Sequence, residues 1–199
     1  MRLIGHFATV AKHKYIVFVH CVKAGIPWRG FVHDFSKFSP TEFFEGVKYF
    51  TGDRSPTELE RRENGCSLAW MHHKGRNRHH FEYWTDYNPE TKRIEPVKMP
   101  VKFVKEMYCD RVAAGKVYLG KKYTDENPIG YFLRGSARMN MHPETAELLG
   151  KWLMMLKDES SIREVIAFPM SGSAQDMMCG APNDVTEQQL REVHIKIRD

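Results

Sequence analysis

Residues 28–43 read Trp28-Arg29-Gly30-Phe31-Val32-His33-Asp34-Phe35-Ser36-Lys37-Phe38-Ser39-Pro40-Thr41-Glu42-Phe43, and the parsing of this stretch decides the fold. Its first half, Trp28 to Phe35, follows the breakers Gly25 and Pro27 and predicts a short helical segment. Its second half opens on Ser39, an N-cap residue, with proline at the first helical position and Glu42 at the third. That start signal predicts a helix to about Phe50. Between the two helices lies His33-Asp34-Phe35-Ser36-Lys37, where the chemistry concentrates.

Working outward, helices dominate. Upstream, about Gly5 to Ala24 carries apolar side chains at Phe7, Val10, Ile16, Val17 and Val19 among polar ones, a helical mixture that Gly25 and Pro27 end. Downstream, Ser55-Pro56-Thr57-Glu58 repeats the start signal, and the helix it opens is expected to run through Trp70 to His73 until Gly75, with a further helical turn or two from Arg78 to Trp84. Tyr87 to Pro100 is polar and proline-punctuated and reads as a loop. Helices are then expected from Met99-Pro100 to about Val117, from Asn127 to Met139, and from His142-Pro143-Glu144-Thr145 to Leu156. No strand series with hairpin turns is expected before residue 160. Beyond Asp158 the pattern weakens: Val165 to Pro169 could be a short strand, Ser171 to Asp184 is loop-like, and Thr186 to Ile197 is a helix or strand. The expected organisation is an all-α helical domain over residues 1–157 and a C-terminal appendage over 158–199.

Composition narrows the class. A chain of 199 residues, 42% hydrophobic and 12% aromatic, can bury a core and is far from disordered composition. The longest strongly apolar run, Tyr15 to Val19, is far short of the roughly 20 residues of a membrane span, and no signal-peptide pattern opens the chain. A cytoplasmic protein without a membrane partner is expected. The four cysteines are Cys21, Cys66, Cys109 and Cys179; they form no CxxC pair and read as reduced, mostly buried thiols. Lys and Arg exceed Asp and Glu by 30 to 25, interleaved along the chain. The excess suits a phosphorylated small molecule or solubility more than a long nucleic acid.

Ten histidines are present, and His6, His13, His20, His33, His72, His73, His79 and His80 fall within the first 80 residues. The adjacent His33 and Asp34 can both ligate one cation if the backbone splays them toward a common cavity, because imidazole and carboxylate together suit Mn, Fe, Zn or Mg. His13 lies upstream, the doublets His72-His73 and His79-His80 downstream, and Asp110 stands in a helix whose other residues are largely apolar. On a continuous helix, residues seven apart share a face, which would pair His72 with His79 and His73 with His80. His73 and His80 are preferred as ligands, with His72 and His79 facing substrate, although the sequence leaves the choice within each doublet open. His20 reads as a buried histidine with one hydrogen bond. The aromatics Trp70, Phe81, Tyr83, Trp84 and Tyr87 read first as core, and Lys74, Arg76 and Arg78 form a local basic patch suited to phosphate. Asn77 could orient a ligand histidine, cap the turn at Gly75, or contact substrate.

This order of residues resembles the HD-domain superfamily of metal-dependent phosphohydrolases, all-helical proteins with ligands in the order His, His-Asp, optional histidines, Asp. His13 is similar to the first histidine, His33 and Asp34 to the pair, and Asp110 in Asp110-Arg111-Val112-Ala113-Ala114 to the terminal aspartate. The doublets stand where two-metal members carry extra histidines, and Lys37 is similar to the lysine that often follows the pair. A closer resemblance is to a bacterial and phage family known as a domain of unknown function. It rests on His13-Lys14, Gly25 to Gly30, His33 to Phe43 with its His-Asp-x-Ser-Lys-Phe-Ser motif, Ala69 to Trp84, and Met139 to Thr145, and covers about residues 10–155.

The resemblance implies an HD-like helical bundle with one or two divalent ions held by His13, His33, Asp34, His73, His80 and Asp110. Such a site would hydrolyse a phosphomonoester or phosphodiester, a nucleotide among them, by metal-activated water. Asp34 and Lys37 are the expected catalytic residues, Lys37 also binding a phosphoryl oxygen, and His72, Arg76, Asn77 and His79 are expected to face substrate. Two other readings stay open, a di-iron oxygenase on the same scaffold and a non-enzymatic metal-stabilised module that binds nucleotide or protein.

Overall fold

The structure, a computed structural model, describes residues 2–158; the expected elements after Asp158, with Cys179 and His194, lie outside the described residues. The architecture is helical, with α1 (Arg2–Lys23), α2 (Pro27–Val32), α3 (Pro40–Lys48), α4 (Pro56–Asn64), α5 (Leu68–Lys74), α6 (Val101–Leu119), α7 (Glu126–Ser136) and α8 (Pro143–Asp158). One two-stranded antiparallel hairpin, β1 (Thr85–Asn88) and β2 (Arg93–Pro96), pairs Thr85 with Pro96 and Asn88 with Arg93. No helix of the described residues is long and apolar enough to cross a membrane.

Helix α1 shows how the sequence places the site. Its buried residues are His6, Val10, His13, Val17, His20 and Cys21, a spacing of three and four that forms one stripe. Three histidines seven apart thus occupy the face normally given to apolar residues, while the apolar Phe7 is exposed. The lower half of the stripe joins the core: Val17 and Cys21 pack with Val104, Tyr108 and Val112 of α6, Phe132 of α7, and Leu149, Trp152 and Leu153 of α8. Trp152 is 1% exposed and meets Tyr108 edge-on, with ring centroids 6.2 Å apart. Cys21 and Cys109 are buried free thiols and Cys66 is an exposed one.

Close packing fixes α2 against α1. A Cβ on Gly30 would stand 2.6 Å from the Cys21 Cβ and 3.0 Å from the Phe18 Cα, so only glycine permits this approach. The α2 carbonyls of Phe31 and His33, orphaned at a helix end, accept from Lys14 Nζ at 2.7 and 2.6 Å.

Three expectations change. The single helix expected from Pro56 to His73 is two: Gly65 takes φ +76° as the cap of α4, and Ser67 starts α5 by accepting from the Trp70 amide at 2.9 Å. Glu60 of α4 then accepts from the Leu68 amide at 2.8 Å, which holds the two helices in fixed relation. Arg78 to Trp84 contains only a 3₁₀ turn, Phe81–Tyr83. The loop expected over Tyr87 to Pro100 contains the hairpin, whose turn is closed by Asn88 Oδ1 accepting from the Glu90 amide at 2.9 Å and by Lys92 at φ +56°. A side-chain turn of this kind leaves no apolar alternation in the sequence.

The core and its buried histidine can each be tested. Trp152→Ala should cost about 3–5 kcal/mol, as expected for removing a buried aromatic, read as a lower urea midpoint with helical circular dichroism retained; an unchanged midpoint would contradict this core. His20 is buried, accepts from Lys116 Nζ at 3.3 Å, and has its pKa pushed down to about 4 by burial, then by Lys116 and Lys23, with Asp125 opposing. The unfolded chain therefore binds the proton first, so this contribution to stability is full above about pH 6.5 and lost as pH falls toward 4. His20→Gln should make the fall in stability across that window shallower.

Candidate metal centre

The His33-Asp34 pair reaches one site because of its backbone. His33 ends α2 with φ −53° and ψ 130°, and Asp34 then adopts the left-handed conformation, φ 54° and ψ 28°. Aspartate tolerates this conformation better than most residues, and the kink turns two consecutive side chains into the same space. Both are buried.

Around them, ligand atoms gather in three overlapping groups, two of which share Asp34 and the third of which joins His33, His79 and Glu106. In the first, Asp34 Oδ2 lies 3.2 Å from His33 Nε2 and 3.8 Å from His13 Nε2, and Asp110 Oδ1 lies 3.0 Å from His13 Nε2 and 3.7 Å from His33 Nε2. In the second, Asp34 Oδ1 lies 3.3 Å from His73 Nε2 and 3.4 Å from His79 Nε2, while His73 Nε2 and His80 Nε2 are 2.9 Å apart. His13 Nε2, His33 Nε2, His79 Nε2 and both Asp34 oxygens are buried without a well-aligned hydrogen bond. Buried polar atoms are ordinarily satisfied, and these unsatisfied atoms all point into one space. A set of nitrogen and oxygen donors left open in this way fits a divalent cation such as Mn, Fe, Zn or Mg.

A second layer orients the imidazoles. Glu106, 0% exposed, sets Oε1 at 3.0 Å from His33 Nδ1 and 3.3 Å from His79 Nδ1, and its Oε2 accepts from Arg29 Nε at 2.7 Å. Glu42 does the same on the other side, with Oε2 at 2.7 Å from His73 Nδ1 and Oε1 at 2.6 Å from His72 Nδ1. A carboxylate that accepts from Nδ1–H, as Glu106 can from His33 and Glu42 from His72 and His73, leaves Nε2 as the free lone pair; His79 Nδ1 faces Glu106 without an aligned bond. Ser39 caps α3 through the Glu42 amide, so the Glu42 carboxylate is free to reach these histidines. Asn77 donates from Nδ2 to the His73 carbonyl at 2.8 Å and to Ser36 Oγ at 2.7 Å, tying the end of α5 to the His-Asp segment.

Electrostatics match the geometry. Burial alone would raise the Asp34 pKa, but His33, Lys37 and His73 hold it well below the usual range. Burial is likewise overruled at Asp110 by bonds to His13 and His33, and at Glu106, held at about 2 by His33 and His79. Burial lowers the pKa of His80, helped by His79 and His73, that of His79, helped by the charge on His33, and that of His13, helped by Lys37. His33 is the exception: burial would lower it, but Asp34, Asp110 and Glu106 raise it. Ionised carboxylates and mostly neutral imidazoles are the state in which these groups bind metal.

A cavity of about 820 Å³ opens on the cluster; His13, Asp34, Lys37, His73, His80 and Asp110 line it, as do Trp70, Glu82, Arg111, Tyr118 and Tyr131. Lys37 Nζ lies 2.6 Å from Asp34 Oδ2. Of the residues expected to face substrate, His72, Arg76, Asn77 and His79 are absent from the lining. His72 is held by Glu42 and Arg76 is exposed, its Nη1 on the His72 carbonyl. Asn77 braces His73, and His79 is 1% exposed inside the ligand group. The seven-residue pairing holds for His73 and His80, whose Nε2 atoms are 2.9 Å apart, but not for His72 and His79, because α5 ends at Lys74. His79 and His80 sit on the following turn, so both can point inward. Sequence reasoning also missed Glu106 and Glu42. Glu106 had a signal, since it precedes Asp110 by four residues and shares its face of α6.

Comparison with known proteins adds a family. A segment of 56 residues is 57% identical to aspartate–tRNA(Asp/Asn) ligase of Chlorobaculum parvum, covering 28% of this chain and 9% of that protein. The ligase of Prosthecochloris aestuarii is 54% identical over 56 residues, again 28% and 9%, and aspartate–tRNA ligase of Streptomyces coelicolor 47% over 57 residues, 29% and 10%. The chain thus spans about a tenth of the length of these curated relatives. No solved structure matches. A family model described as a family of unknown function, DUF5662, matches residues 3–155, which include every side chain of the two ligand groups, and the chain belongs to that family.

Proposed function

We propose that this protein is a metal-dependent phosphohydrolase of the HD-domain kind, acting on a phosphomonoester or phosphodiester, with nucleotides among the candidate substrates. The observation that carries the reading is the convergence of His13, His33, Asp34 and Asp110 on one space, their ligand atoms all within 4.8 Å of one another, with both Asp34 oxygens, His13 Nε2 and His33 Nε2 buried without a well-aligned hydrogen bond. A second group, Asp34 with His73, His79 and His80, supports two ions that share the Asp34 carboxylate. A divalent cation bound there supplies a lowered pKa for water and neutralises charge on phosphoryl oxygens.

The chain's own residues supply the rest. Lys37 lines the cavity beside Asp34, and the neighbouring carboxylates, Asp34 first, raise its pKa despite burial. It stays an ammonium and stands ready to meet phosphoryl charge as it develops. His80 also lines the cavity, but its lowered pKa suits a ligand better than a proton donor to the leaving group. Glu106 and Glu42 hold the tautomers, and Arg29 holds Glu106.

The three-histidine group also favours a second reading, an oxygen-activating di-iron centre. Iron content and oxygen consumption separate the two. Hydrolytic turnover of phosphoesters with Mn or Mg, independent of oxygen, supports the hydrolase; two irons with oxygen-dependent turnover overturns it, and metal without turnover in a broad phosphoester screen favours a binding module.

Elemental analysis of protein purified without chelator should find a divalent transition metal, and Asp34→Ala and Asp110→Ala should each lose most of it while keeping helical circular dichroism. Wild-type protein that carries no metal and takes none up would sink the reading. Glu106→Gln keeps every ligand but weakens the acceptor for His33 and His79; metal affinity should fall by about 10–100-fold, and an unchanged affinity would remove Glu106 from this role.

A further inference from the structure

Four Lys and Arg side chains line the cavity; Arg134 is exposed, and the other three differ in pairing. Lys37 is paired with Asp34 and Arg54 with Asp53. Arg111 is not paired: its Nε and Nη1 are buried without a hydrogen-bond partner, and it forms no ion pair among the described residues, not even with Glu82 on the same lining, whose Oε2 is also unsatisfied. The guanidinium rests over the Phe132 ring, Cζ 5.8 Å from the centroid, so an aromatic of α7 supports it. It follows Asp110 on α6, about 100° further around the helix, and therefore leaves the ligand groups to themselves.

Arg111 is half-buried, and two guanidinium nitrogens shut off from water without an acceptor are costly to folding. Its planar fork of N–H donors matches two oxygens of one phosphate. We infer that Arg111 is the phosphate-binding residue of the cavity, gripping two oxygens of a phosphoryl group of the substrate beside the metal centre. The substrate is then a phosphate ester whose anionic group enters between α6 and the aromatic side chains Trp70 and Tyr131 that also line this space. The assignment deepens the hydrolase reading and rests on it for the identity of the ligand. It does not rest on it for the test.

The test uses the full chain as purified, at constant ionic strength, with inorganic phosphate as probe, acetate as control, and metal content measured on every sample. Phosphate should bind wild type and raise its melting temperature. Arg111→Gln should weaken phosphate at least tenfold with metal content unchanged, and its melting temperature without phosphate should equal or exceed that of wild type, because two buried, unbonded guanidinium nitrogens are gone. A merely structural arginine would give a lower one. Should Arg111→Gln fail to fold, Arg111→Lys decides: it keeps the charge and loses the fork, and phosphate should weaken severalfold. Phosphate binding of wild-type strength in either variant, no phosphate binding by wild type, or acetate bound as tightly as phosphate each overturns the assignment. Absence of metal from wild type would instead sink the hydrolase reading and leave the comparison of Arg111 variants intact, so the two failures are distinct.

Discussion

Two carboxylates, Asp34 and Glu106, are buried where α1, α2 and α6 meet, and the rest of this molecule is arranged around them. Removing an ionised carboxylate from water costs several kcal/mol even after relaxation. Here the cost is met by oriented groups: Lys37 beside Asp34, Arg29 on Glu106, and imidazoles from α1, α2, α5 and the turn after α5. The partners of the two differ in kind. Glu106 is bonded to His33 Nδ1 and the Arg29 guanidinium, while Asp34 faces the Nε2 atoms of His13, His33 and His79, which find no aligned partner. One carboxylate is satisfied and orients the imidazoles; the other is left open toward the cavity.

The scaffold makes that division possible because each half of the site stands on a different kind of support. His13 and Asp110 lie on the long helices α1 and α6, whose other inward residues belong to the core. His33 and Asp34 depend on the end of α2, pinned by Lys14 and by the close approach at Gly30. His73, His79 and His80 depend on α5 and its following turn, tied down by Glu42, Asn77 and Ser36. Polar residues stand next to ligands repeatedly along the chain, as in His13-Lys14 and Asp110-Arg111. In the first pair the neighbour braces the backbone; in the second it opens into the cavity.

Much of this is legible in the chain itself. Proline after serine at Ser39 and Ser55 and glycine at Gly25 mark helix ends, because these residues act through local backbone geometry. The adjacency of His33 and Asp34, with Lys37 one turn on, marks the site. Less local features are not legible. Gly65 lies inside the single helix expected from Pro56 to His73, and only its left-handed backbone and the Ser67 cap of a new helix show the break. The histidine doublets invite a helical pairing on two faces, but α5 ends at Lys74, so His73, His79 and His80 meet in one group while His72 stays on Glu42. Glu42 looks like a capping residue, and only its distance from His72 and His73 shows where its charge is used.

By itself the sequence determined the helical class, the start and end of most helices, and the residue types at the centre, since capping, periodicity and donor chemistry are properties of neighbours along the chain. Tertiary structure alone decided which histidine nitrogens face inward, that Asp34 divides its two oxygens between two groups, that Glu106 faces two imidazoles from residues 73 and 27 positions away, and that Arg111 Nε and Nη1 find no hydrogen-bond partner among the described residues. Those outcomes depend on distances between segments far apart in sequence. Burial, which makes an unpaired charge or an open lone pair meaningful, exists only once those segments have packed.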